Sequence, residues 1–406
     1  MNGRPLEGVR IIALEQYGAG PYGSVHLADL GAEVIKIEDV PTRGDIGRYV
    51  VPFQEGEDSL FYETFNRNKK SLGLDLRTAD GRAVFEDLVK VSDAVYFNMR
   101  GDVPEKLRIQ YDDLKHLNPK IVCCSLSAFG TNGDLKAEPG YDYILQAMAG
   151  WMSLTGEPDA PPAKSGLSVV DFAAGLAAGY SLLAGLLAAG RTGVGMDCDV
   201  SLYDVAVSFL SYPGTWHLTG GHEPQRMGRS AHPSLVPFQA FQASDGWVVI
   251  GCAKEKFFQR MCEAFDREDL PQDARYLTFK ERFANREELI DELDKVLEEF
   301  TVDEVVRRMR AVGVPCGPVL NVAQALAHPV AEQRGLIIRT EHPVWGEIKQ
   351  PGSPIRVGEL PTEHRRAPRR NEDYRYVLHD ILGYDEARID EVTGNGAIGP
   401  ITPVVP

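Results

Sequence analysis

Apolar positions in the first third of the chain fall into short β-branched runs separated by longer stretches with helical spacing. This pattern predicts strands over residues 9–14, 33–37, 94–97 and 121–127, with helices over 22–30 and 82–91 among them. Strands that alternate with helices imply a parallel sheet covered on both faces, the arrangement of an open α/β domain. An uncharged, Ala- and Gly-rich run then extends over 172–190, bounded by Asp171 and Arg191. It has the length of a membrane span, yet its residues are small and weakly apolar, so the expectation is a buried helix in a globular core. A strand over 197–201 and a helix over 202–210 lead into a stretch rich in Pro and Gly, 212–237, that reads as a domain boundary. Beyond it, a strand over 246–251 and helices over 254–265, 281–300 and 302–312 predict a smaller α/β module. From 335 onward the pattern changes to strands with turns and one late helix over 371–382.

At 406 residues the chain exceeds the usual size of one hydrophobic core, which agrees with two domains. The formal charge of -16 argues against nucleic acid or an anionic membrane as the main partner, so any anionic ligand must be met locally. Six cysteines are spread without C-x-x-C pairs, which fits reduced thiols. No apolar run follows the charge at the N-terminus, so no secretory signal is expected, and the cytoplasm is the expected location.

Three features carry candidate chemistry. Gly18-Ala-Gly-Pro-Tyr-Gly23 matches G-x-G-x-x-G between a predicted strand and helix, the context of a dinucleotide fingerprint, and makes an NAD-dependent oxidoreductase one reading. Against it, Pro21 has no N–H to offer a pyrophosphate, and no hydride-transfer acid is evident. Asn66-Arg-Asn-Lys-Lys70 concentrates positive charge, followed by Arg77, Arg100 and Lys106; this is either an anion site or a solvated turn. Asp171 stands before the Ala/Gly-rich helix, where a carboxylate is either an N-cap or a nucleophile kept ionised by the helix dipole and first-turn donors. Gly175 and Gly179 would let a partner backbone or a thioester come close.

In their order along the chain, Pro5-Leu-Glu-Gly-Val-Arg10, Ala19-Gly-Pro21, Gly31-Ala-Glu-Val-Ile-Lys-Ile-Glu38, residues 66–76, Ser127-Ala-Phe-Gly130, Gly140-Tyr-Asp142, Thr155-Gly156 and Gly313-Val-Pro-Cys-Gly-Pro318 resemble the family III (CaiB/BaiF) CoA-transferases. The likeness is nearest to the succinyl-CoA:glutarate type. It implies a transferase of sulfur-containing groups that moves CoA from an acyl-CoA to a carboxylic acid through aspartyl anhydride and aspartyl-CoA thioester intermediates. The acceptor would extend to dicarboxylates such as succinate or glutarate. Asp171 follows Thr155-Gly-Glu-Pro-Asp-Ala-Pro-Pro162 as the family's nucleophile does. CoA contacts are implied at Tyr17, Gly18, Leu74, Asp75, Leu76, Arg77, Asn98 and Lys106, and the basic residues acquire a phosphate role.

The CoA thioester is the substrate, and no permanently bound cofactor or metal is implied. The implied architecture is a Rossmann-like large domain from residues 1–212 and a return segment 326–406, a linker at 213–237 and a small domain at 238–325. Two such chains are expected to interlock as a homodimer. Asp39 stands where members of the formyl-CoA transferase type carry arginine. Arg229-Ser-Ala-His-Pro-Ser-Leu-Val-Pro-Phe-Gln239 replaces their glycine-rich loop. Arg226, Arg229 and His232 are therefore candidate substrate contacts, and backbone donors near Asp171 and Ser234 are candidates for oxyanions. The racemase branch has histidine where this chain has Tyr141, which leaves acyl-CoA racemisation as a minor alternative.

Overall fold

The computed structural model describes residues 3–358 and 363–401. Its chain divides into two compact units, one formed by Met1–Ala149, Leu167–Phe209 and Pro329–Pro406 and the other by Gly150–Gly166 and Leu210–His328. In the first unit the successive elements are β1 (Arg10–Leu14), α1 (Ala19–Asp29), β2 (Glu33–Glu38), β3 (Lys70–Gly73), α2 (Ala79–Lys90), β4 (Ala94–Phe97), β5 (Val122–Ser127), α3 (Asp142–Met148), α4 (Val169–Thr192), β6 (Met196–Ser201) and α5 (Leu202–Ser208). The six strands form one parallel sheet in the order β3-β2-β1-β4-β5-β6. Strands β4 and β5 are buried along their whole length, as parallel strands covered on both faces must be. The order reverses between β1 and β4, so the segments leaving these two strands part and open a crevice at their carboxyl ends.

One face of the sheet is sealed by the end of the chain. Val377, Leu378, Ile389, Val392 and Ile398 join Ile12, Ile35, Val95 and Phe97 in one core. The same segment covers the edge strand β3: Gly73 N–H donates to Asn371 Oδ1 (2.8 Å), Ser71 N–H to Asp373 Oδ2 (3.0 Å) and Gly399 N–H to Gly73 O (3.1 Å). An open edge is thereby closed to stray strands. On the other face α1 lies against α4 at glycine contacts. A Cβ on Gly23 would fall 2.4 Å from Gly175 O and 2.7 Å from Tyr96 Oη, so the helices meet backbone to backbone. The long apolar helix is thus a packed element of this unit, and its bounds, Val169–Thr192, exceed the expected 172–190 at both ends.

The second unit departs more from expectation. It includes Gly150–Gly166, because Arg226 donates to the carbonyls of Met152 (3.2 Å) and Ala160 while Glu157 Oε1 accepts from Arg229 N–H (2.8 Å). The stretch expected to be a linker begins with a helix, Ser211–Gly220, in whose first turn Pro213 is tolerated since no donor is needed there. The expected helix over 281–300 is two, Phe279–Ala284 and Arg286–Leu297, broken at Asn285. A strand, Phe238–Ala243, pairs antiparallel with Gly246–Gly251 through the two-residue loop Ser244-Asp245. In the first unit, the late helix expected over 371–382 is a shorter wide-turn helix, Tyr376–Ile381.

Candidate active site

The crevice after β1 and β4 is built by reciprocal hydrogen bonds. Gln16 N–H donates to Asn98 Oδ1 (2.8 Å) and Asn98 Nδ2 donates to Gln16 O (2.9 Å), tying the two strand ends together. Tyr17 follows with φ of 66°, a left-handed conformation unusual for a non-glycine residue, and its N–H is held by Asp45 Oδ1 (2.8 Å). Asp45 is in turn fixed by buried Lys36 (2.8 Å). Lys69 meets Glu15 at 2.6 Å and Arg48 meets Glu38 at 2.6 Å, so a layer of buried ion pairs underlies the turn. These charges hold the loop, and Glu15, Glu38 and Asp45 also reach the wall of the slot beside it.

Above the turn lies a cavity of about 420 Å³ lined by Tyr17, Gly18, Asn98, Arg100, Tyr141 and Asp171 among others. A neighbouring slot of about 300 Å³ has Leu74, Leu76, Arg77, Val103 and Leu107 in its walls. Gln16, Asn98 and Met99 line both. The first chamber carries Arg100 and Asp171 in its walls, and its neighbour adds Glu15, Glu38, Asp39, Asp45 and Arg77 to its apolar side chains. Helix α1 opens into the first chamber at Gly18 and Ala19 with no side-chain cap and no acidic residue in its first turn.

Asp171 is 8 % exposed and faces this cavity. It is the third residue of α4 and not its N-cap, since Val169 and Val170 join the helix and Ser168 precedes it. The first-turn donors go elsewhere: Val170 N–H (2.7 Å) and Asp171 N–H (3.1 Å) both donate to Asp142 Oδ2, reaching across from α3. Burial, and after it the charge of Asp142, push the Asp171 carboxyl up to about 7. The expected stabilisation of its ionised form by the helix terminus is therefore reversed, because another carboxylate occupies that terminus.

Of the sequence-derived contacts, Tyr17, Gly18, Leu74, Leu76, Arg77 and Asn98 line the two chambers. Asp75 and Lys106 do not: Asp75 receives Arg77 (2.9 Å), and Lys106 is paired with Asp102. The cluster at 66–70 is not a phosphate site. Arg67 is buried against Asp29 (2.6 Å), Lys69 against Glu15, and Lys70 lies 3.7 Å from Asp373. The glycines of the fingerprint are explained by packing, since a Cβ on Gly20 would fall 2.6 Å from Asn98 Cγ. Sequence reasoning missed Asp142; the signal was its place in Gly140-Tyr-Asp142.

Within the second unit, the loop residues are engaged locally. Arg226 holds carbonyls of the 152–161 segment and Arg229 pairs with Asp294. His232 lies between the rings of Tyr212 and Phe238, and its Nδ1 accepts from Ser234 N–H and Leu235 N–H (both 3.1 Å). The backbone donors expected near Ser234 and near Asp171 are thus already taken. Elsewhere in the first unit, Asp58, Glu63 and His342 cluster within metal-binding distances. His342 Nδ1 accepts from Val344 N–H (3.1 Å) and Trp345 N–H (3.3 Å), which puts the ring proton on Nε2, facing Asp58 at 3.2 Å. A protonated Nε2 is no ligand, and the trio reads as a structural clasp.

A sequence profile described as CoA-transferase family III matches residues 6–374. Human succinyl-CoA:glutarate CoA-transferase is 34% identical over 401 residues, which span 98% of this chain and 90% of that protein. Acetyl-CoA:oxalate CoA-transferase of Acetobacter aceti is 34% identical over 371 residues, 91% and 93% of the two chains. A CaiB/BaiF family protein from Brucella suis of known crystal structure superposes with a TM-score of 0.80 at 32% identity, covering 94% of this chain and all of that one.

Proposed function

The chain belongs to CoA-transferase family III and is an enzyme of that class, and from this premise we propose that Asp171 is its nucleophile in moving CoA between two carboxylic acids. The observation that carries the reading is a buried carboxylate facing a cavity that shares Gln16, Asn98 and Met99 with a neighbouring slot. The slot would take the nucleotide and pantetheine arm, with Arg77 at the phosphate end, and Tyr17, Gly18 and Asn98 would border the thioester.

In the first step an Asp171 carboxylate oxygen attacks the thioester carbonyl, the C–S bond breaks, and a mixed anhydride and CoA thiolate result. The thiolate then attacks the aspartyl carbonyl, expelling the donor acid as carboxylate and leaving an aspartyl-CoA thioester. The acceptor carboxylate attacks that thioester to give a second anhydride and thiolate. Attack of the thiolate on the new acyl carbon releases acyl-CoA and restores Asp171. The uncapped first turn of α1 at Gly18 and Ala19 supplies donors for the oxyanions. Arg100, the cation lining this cavity among the described residues, is half-exposed beside Asp102 (3.2 Å) and would turn from it to meet the far carboxylate of a small dicarboxylic acid such as succinate or glutarate.

A homodimer in the cytoplasm completes the proposal. It is supported by free thiols at all six cysteines and by an apolar outer face: Tyr180 (78 % exposed), Leu176 and Leu187 on α4, Ile144 and Met148 on α3, Val207 on α5. The deciding experiment is incubation with acyl-CoA and hydroxylamine followed by peptide mapping. A hydroxamate at Asp171 supports the mechanism; none, or one elsewhere, sinks it.

A further inference from the structure

We propose that Asp142 is a positioning residue for the nucleophile: it takes the first-turn N–H groups of α4 into its own carboxylate and holds a fixed negative charge beside Asp171 that is relieved whenever Asp171 is acylated. The proposal rests on Asp171 being the nucleophile. Asp142 is buried, with Val170 N–H and Asp171 N–H on Oδ2 and Gln146 Nε2 on Oδ1 (2.5 Å). Three donors and a helix N-terminus thus converge on this carboxylate. The Asp171 carboxylate receives no hydrogen bond from the described residues, and the groups facing it offer little compensation. Asp142 approaches from α3, Tyr17 from the turn after β1, Tyr141 and Tyr143 lie beside Tyr17, and Arg100 on the cavity wall is already drawn to Asp102 (3.2 Å).

The consequence follows from charge. As a carboxylate, Asp171 is repelled by Asp142; as an anhydride or a thioester it is neutral and is not. The repulsion therefore raises the basicity and nucleophilicity of the attacking oxygen and favours the acyl states of the cycle over the resting one. When acylation begins from protonated Asp171, thioester formation releases that proton together with the donor carboxylate; when it begins from the ionised form, none is released. A carboxyl sitting at about 7 places both regimes within reach.

Two measurements test this. A single turnover of the wild-type enzyme with excess acyl-CoA, followed by a pH indicator, is expected to release close to one proton per aspartyl thioester at pH 6 and almost none at pH 8. Asp142→Asn keeps an oxygen for the two N–H groups and removes the charge. In it the ratio of kcat/KM at pH 8 to that at pH 6 is expected to fall clearly below the wild-type value of about tenfold, burial keeping part of the dependence, with KM for acyl-CoA little changed. A thioester that forms at pH 6 without proton release, or an Asn variant with the wild-type pH ratio, overturns the inference. Absence of any trapped thioester would instead count against Asp171 as nucleophile, so the two failures are separable.

Discussion

Asp171 is costly as it stands. Its carboxyl titrates near 7 in the folded chain, above the ordinary aspartate range, so the stability tied to its protonated form is full below about pH 4 and is lost as pH rises through 7. Asp171→Asn is therefore expected to abolish CoA exchange while raising the melting temperature at pH 8 more than at pH 5, with acyl-CoA affinity within about threefold of wild type. Calorimetry at the two pH values and equilibrium titration check this; equal effects at both pH values would refute the electrostatic account. The position was legible in the sequence and its environment was not. The cap that Asp171 was expected to be is supplied by Asp142, 29 residues upstream, a relation no local pattern encodes. Lys69 was misread for the same reason, since Glu15, its buried partner, is 54 positions away. Lys69→Met would strip Glu15 of that partner and is expected to cost about 3–5 kcal/mol in denaturant unfolding, far beyond a surface lysine.

At the scale of elements, the strands β1, β2, β4 and β5 were readable from their short apolar and β-branched runs, although β2 carries the buried Lys36 at its centre. Strand β3 was not, for it begins with Lys70, ends with Gly73 and is defined by what pairs with it. The glycines of α1 and α4 separate packing from tolerance. Gly23→Ala would drive a methyl into Gly175 O and is expected to destabilise by about 1–3 kcal/mol. Gly190→Ala, in the exposed last turns of α4 with nothing within 4 Å, is expected to gain up to about 1 kcal/mol from helix propensity. Within the first unit, the clasp of Asp58, Glu63 and His342 ties the hairpin of Ile337–His342 and Gly346–Pro351 to the segment around residues 58–63. Burial and Asp58 lift Glu63 to about 8, so this contribution is complete below the ordinary glutamate range and lost as pH rises through 8. Protection of the hairpin amides from hydrogen exchange is expected to drop between pH 7 and 9, and Glu63→Gln should flatten that drop.

For the whole molecule, the apolar outer face of α3, α4 and α5 sets an association test. Tyr180→Asp combined with Leu187→Asp is expected to shift sedimentation from dimer to monomer; a wild-type chain already monomeric at micromolar concentration would end the dimer proposal. Two units were anticipated from length, yet the assignment of residues 150–166 was not, because the arginine that claims them lies beyond residue 220.

The seal on β3 has a consequence for how the protein is made. Asn371, Asp373, Ile398 and Gly399 complete the edge of a sheet whose other strands lie between residues 10 and 201. A ribosome emits the entire second unit, through His328, before these closing residues emerge. The six-stranded sheet must therefore wait with an open flank while residues 210–328 are synthesised, and that interval is where a chaperone would have the most to protect.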